Sequence, residues 1–120
     1  MKCFNIIISV HGDSKGFRFE VMQEALKSGI NGYIQRMGGN NFKIVAEGDE
    51  ENIENFINWL DGGFHWTKIV EGKIEEAMIE NFASFDMRQA SQAKEEVQIP
   101  QTKKKNISLS ERFRELLKSH

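Results

Sequence analysis

Val10-His11-Gly12-Asp13-Ser14-Lys15-Gly16-Phe17-Arg18 is a junction between two kinds of periodicity. Upstream, Phe4, Ile6, Ile8 and Val10 alternate with Asn5, Ile7 and Ser9, the period-two pattern of a strand with one well-buried face. Downstream, Phe17, Val21, Met22, Ala25 and Leu26 share one face of a helix predicted over 17–28, and Gly29 suits its C-terminal stop. Between the two, the polar stretch from His11 to Gly16 contains glycines and reads as a loop.

Working outward, residues 30–37 read as a second strand and Gly38-Gly39-Asn40-Asn41 as a hairpin, because these residues tolerate positive φ. Residues 42–47 form a third strand with Phe42, Ile44 and Ala46 on one face. Asp49 suits an N-cap, and acidic residues crowd the helical turn after it. Ile53, Phe56, Ile57 and Leu60 then follow at helical spacing until Gly62-Gly63. A fourth strand runs from Thr67 to about Ile74, and a short fifth from Phe82 to Met87. The order predicts an α+β fold, a ferredoxin-like βαββαβ sandwich. Right-handed crossovers put two helices on one face of a mainly antiparallel sheet.

The 120 residues fit one such domain, at 1–88, with an appendage. From Gln89 the composition shifts to Gln, Ala, Ser, Lys and Glu, with Pro100 and Lys103-Lys104-Lys105, so 89–107 reads as a linker. Ser108-Leu109-Ser110-Glu111 matches a capping box, and Leu109, Phe113, Leu116 and Leu117 line a short amphipathic helix over 108–120. A helix this short is marginal alone and needs a docking surface. Its own sheet, a second copy and a different protein all fit, so self-association or a protein partner through this helix stays open.

Charge is uneven. Residues 1–88 carry nine Lys/Arg against fourteen Asp/Glu, and 89–120 carry seven against four. An acidic body argues against nucleic-acid binding by the domain. An RNA-recognition module shares the element order, but the third strand offers only Phe42 for stacking. The lysine run suits a solvated linker better than a binding patch. No apolar run is long enough to span a bilayer, and the lone Cys3 suits a strand in a reducing cytoplasm. No Cys/His spacing points to a metal, and no cofactor is implied.

The junction itself offers chemistry. Backbone N–H groups at a helix N-terminus point outward with partial positive charge, and glycines let the chain curl into an anion-binding nest. Arg18 in the first turn adds a planar fork suited to phosphate oxygens. The candidate phosphate-binding residues are thus Ser14, Lys15, Gly16, Phe17 and Arg18. The same residues also fit an ordinary strand–helix turn with a solvated arginine.

The junction resembles the acylphosphatase family, which carries Val-x-Gly-x-Val-Gln-Gly-Val-x-Phe-Arg there. Gly29-Ile30-Asn31-Gly32-Tyr33, Ile44-Val45-Ala46-Glu47-Gly48, Phe56-Ile57-Asn58-Trp59-Leu60 and Phe82-Ala83-Ser84-Phe85-Asp86-Met87-Arg88 resemble further family stretches in the same order. The resemblance implies hydrolysis of acyl phosphates, with an arginine binding phosphate and no metal or covalent nucleophile. Aligned without a gap, Phe19-Glu20 would fall on the motif's Phe-Arg; with two loop residues missing, Phe17-Arg18 does. The gapless spacing from Arg18 to Gly32-Tyr33 decides for Arg18. In the shortened loop Asp13 would repel phosphate unless it points away, and Lys15 would compensate.

The resemblance also implies an asparagine at the end of the second strand that orients the attacking water. Counting from Gly32-Tyr33, Arg36 stands there. Arginine has five donors and no acceptor, so it can grip phosphate but cannot orient a water by accepting its proton. Impaired hydrolysis and a catalytically silent phosphate-binding or protein-interaction module are both compatible with this sequence. His11 could serve as a base but suits a strand end bonded to backbone, and Trp59 and Trp66 suit the rim of a small core.

Overall fold

The computed structural model describes residues 1–12, 16–62, 67–89 and 109–118. The chain order is β1 (Lys2–Gly12), α1 (Phe17–Lys27), β2 (Asn31–Gly38), β3 (Asn41–Gly48), α2 (Glu50–Gly62), β4 (Thr67–Ala77), β5 (Phe85–Arg88) and α3 (Leu109–Lys118). The strands form one sheet in the order β4-β1-β3-β2-β5. Every neighbouring pair is antiparallel except β2 and β5, which run parallel. The ferredoxin-like α+β reading therefore holds. The strands run one to four residues longer or later than the sequence pattern indicates, as at β5, which starts at Phe85.

Alternation along the strands builds the core. Phe4, Ile6, Ile8 and Val10 of β1 join Ile34 of β2 and Phe42, Ile44 and Ala46 of β3 in one cluster beneath the helices. Helix α1 contributes Phe17, Val21 and Ala25, and α2 contributes Ile53, Phe56, Ile57 and Leu60. Leu26 departs from expectation: it is 51% exposed, because the Phe17/Val21/Ala25 stripe, not its neighbour one step round the helix, points at the sheet. Trp59 stacks on Phe56 at 6.2 Å and packs partly buried against this core. Gly32, at φ +136, is required in β2: a Cβ there would sit 1.9 Å from the Val45 carbonyl oxygen.

The terminal helix is a third member of the helical layer. Leu109 and Phe113 of α3 belong to the same core cluster, and the Phe113 ring meets Phe4 edge-on at 5.0 Å. Leu116 and Leu117 pack partly buried beside them. Of the three expected docking surfaces, α3 occupies its own sheet. Its N-terminus is capped from another helix. The Asp61 carboxylate at the end of α2 accepts the N–H groups of Leu109 (2.9 Å) and Ser110 (2.7 Å). Ser108, the residue expected to cap, lies outside the described residues. Asp61→Ala is expected to cost about 1–2 kcal/mol of stability by urea titration, since it orphans two helix N–H groups at once.

A buried carboxylate, Glu47, fixes the connection from β4 to β5, which must pass from one edge of the sheet to the other. Glu47 is 2% exposed and accepts the N–H groups of Glu80 (2.7 Å), Asn81 (3.1 Å) and Phe82 (2.9 Å). Asn81 adopts the left-handed region at φ 59, which asparagine tolerates. Cys3 lies nearby, buried on the open face of the sheet with Tyr33 and Val45. Its thiol is pushed up to about 11, first by burial and then by Glu47 and Glu80. At neutral pH it stays protonated and is a poor nucleophile, in keeping with a structural residue.

Candidate active site

The ends of β1, β2 and β5 share one end of the sheet, because all three run in the same direction. Helix α1 starts there. So does the β2–β3 hairpin, whose Asn40 carbonyl accepts the N–H of Val10 at 2.9 Å. The strand before the loop is thereby tied to the hairpin after Arg36.

Gly16 is the N-cap of α1, at φ 78 in the left-handed region, and no side chain caps the helix. A glycine cap supplies no acceptor of its own, so it does not consume the first-turn N–H groups. The Gly16 carbonyl accepts the N–H of Glu20 at 3.1 Å and closes the first turn. Phe17 turns inward, with its ring 4.9 Å from that of Phe42. Its side chain anchors the turn in the core, which leaves only its backbone for a ligand. Asp13, Ser14 and Lys15 lie outside the described residues.

Arg18 is half-buried, and one Nη donates to the carbonyl oxygen of Arg88 at 3.0 Å. This bond links the first turn of α1 to the last residue of β5. It occupies one of five donors and fixes the direction of the fork.

Arg36 lies on the helix side of β2, two residues beyond the core residue Ile34. Its guanidinium carbon lies 5.3 Å from the centre of the Phe42 ring. Phe17 and Arg36 thus touch the same aromatic ring, which brings the end of β2 to the start of α1. A guanidinium over an aromatic face gains about 0.5–1 kcal/mol at a partly exposed site. His11 is exposed at the end of β1, and Trp66 falls outside the described residues.

Three residues next to this site are not among the expected site residues. Gln35 donates from Nε2 to the Gln89 carbonyl at 3.0 Å. The Arg88 guanidinium lies 3.6 Å from the centre of the Tyr33 ring, and Tyr33 meets Phe82 edge-on at 5.9 Å. Only folding brings residues 18, 33, 35 and 88 together.

The βαββαβ chain has counterparts among known proteins. A family model described as acylphosphatase matches residues 8–87. The acylphosphatase of Caldanaerobacter subterraneus subsp. tengcongensis is 33% identical over 79 residues, covering 66% of this chain and 86% of that protein. That of Actinobacillus pleuropneumoniae is 37% identical over 84 residues, covering 68% and 92%. The crystal structure of acylphosphatase from Bacillus subtilis matches with a TM-score of 0.69 at 25% identity, over 73% of this chain and 99% of that one. The fold is therefore that of the acylphosphatases, and the chain belongs to the acylphosphatase family. Helix α3 lies beyond the matched residues. Among the described residues, no helix is long and apolar enough to cross a membrane.

Proposed function

We propose that this chain hydrolyses the carboxyl–phosphate bond of small acyl phosphates in the cytoplasm, at a rate limited by Arg36. The observation that carries the reading is the pairing, on one helical turn, of the Gly16 cap with an Arg18 fork held by β5. The phosphate would bind the loop amides from Ser14 to Phe17, with Lys15 and the Arg18 fork offsetting its charge. Water attacks phosphorus in line, the carboxylate leaves, and orthophosphate is released. The donors stabilise charge spread over the phosphoryl oxygens as the bond breaks.

Arg36 is, beside the shortened loop, the second point at which this chain departs from the family pattern. A guanidinium cannot accept a proton from water, so the nucleophile is oriented less well even when phosphate is gripped firmly. Rate should suffer more than binding. Arg36→Asn is expected to raise kcat on a generic acyl phosphate by at least about tenfold while weakening orthophosphate binding. Steady-state kinetics with orthophosphate as inhibitor reads both. A chain stabilised by phosphate with no turnover in either form would instead be a silent phosphate-binding module, which the absence of an acceptor at Arg36 also favours.

A further inference from the structure

We propose that Gln35 is a positioning residue for Arg18, acting through the end of β5 from the opposite face of the sheet. The inference rests on the reading of Arg18 as the phosphate-binding arginine.

The acceptor that holds Arg18 is a backbone carbonyl at the end of a four-residue edge strand. Among the described residues strand β5 has a ladder partner in β2 alone, and that ladder ends at the Gln35–Arg88 pair. A short edge strand frays at its last residue unless something holds it. Two open-face side chains of β2 do so here. Gln35 adds a bond one residue past the ladder, from Nε2 to the Gln89 carbonyl at 3.0 Å. Tyr33 takes the Arg88 guanidinium on its ring at 3.6 Å. Residues 88 and 89 are thus held on one face by Arg18 and on the other by Tyr33 and Gln35.

The sides are independently fixed. Tyr33 clusters with Cys3 and Val45 on the open face, whereas Ile34 belongs to the core under the helices. Gln35, one residue further, alternates back to the face of Tyr33. It therefore points away from the start of α1 and cannot touch an anion there. Any effect of Gln35 on phosphate must pass through the carbonyl that aims the Arg18 fork. An arginine side chain has many rotamers, so a fixed acceptor on one Nη preorganises the remaining donors.

The test compares the full chain with Gln35→Met, which keeps the stem and loses the donor, and Gln35→Arg, which keeps a donor. Orthophosphate affinity is read by titration, and order of the Arg18 side chain by the heteronuclear NOE of its Nε–H. The inference expects orthophosphate binding roughly threefold to tenfold weaker in Gln35→Met. It also expects a collapsed Arg18 NOE, an unchanged amide spectrum elsewhere and recovery in Gln35→Arg. Unchanged affinity and NOE in Gln35→Met overturn it. If the wild-type chain binds no orthophosphate, the functional reading fails instead. The Arg18 NOE then decides the clamp alone: loss in Gln35→Met upholds it and persistence ends it.

Discussion

Arg18→Ala should lower kcat/KM for a simple acyl phosphate by roughly 10² to 10³, the effect of removing one preorganised donor group from a developing oxyanion. The guanidinium is the one formal charge on the first turn of α1 suited to a phosphoryl group, and the Arg88 carbonyl already fixes its direction. Loss of stability should be small. The Arg18–Arg88 bond is exposed, and such bonds contribute about 0.5–1 kcal/mol. Activity should therefore collapse in a protein that still melts within a few degrees of the wild type. Arg18→Lys should recover only part of the rate, since an ammonium keeps the charge but not the two-pronged geometry. Turnover in Arg18→Ala close to the wild-type rate would remove the catalytic role.

The largest stability change is expected at Phe113. Its side chain is fully buried between α3 and the sheet, with Phe4 as its edge-on partner at 5.0 Å. Phe113→Ala removes both the apolar burial and the packing around it, which costs about 3–5 kcal/mol. For a domain of this size, each kcal/mol shifts the midpoint by about 4–8 °C, so Tm should fall by well over 10 °C. A helix that merely followed the domain would lose less than about 1 kcal/mol on the same change. Urea unfolding of Phe113→Ala separates the two. A midpoint within experimental error of the wild type would show that α3 contributes nothing to the core.

How much of this was legible beforehand depends on how local each signal is. The strands of the sheet announce themselves through alternation, as in Phe4 to Val10, and the hairpin through Gly38-Gly39-Asn40-Asn41. The expectation for Arg18 rests on its gapless spacing to Gly32-Tyr33, which matches the resemblance. The docking of α3 is not legible in that way. An amphipathic decamer carries no address, and its cap, Asp61, lies 48 residues before Leu109. Nor does the sequence mark which carbonyl holds Arg18, because a backbone acceptor has no residue signature. Leu26 shows the converse error: helical periodicity put it on the buried face, but the width of the stripe that meets a sheet is set by tertiary packing.

Arg36 lies between these cases. Counting residues gives its place at the end of β2, but only the fold shows its guanidinium over the Phe42 ring that also packs against Phe17. Arg36, which the resemblance puts at the asparagine position, is thus built into the packing where β2 and α1 meet. It is not a loosely held surface change.

Hydrolysis and silent phosphate binding both need a bound oxyanion at the first turn of α1, and a ¹H–¹⁵N titration with orthophosphate reaches that point without requiring turnover. Saturable shifts are expected at the amides of Gly16, Phe17 and Arg18 and at the Arg18 side chain, absent in Arg18→Ala. Shifts confined to some other surface, or none at millimolar phosphate, would contradict both readings.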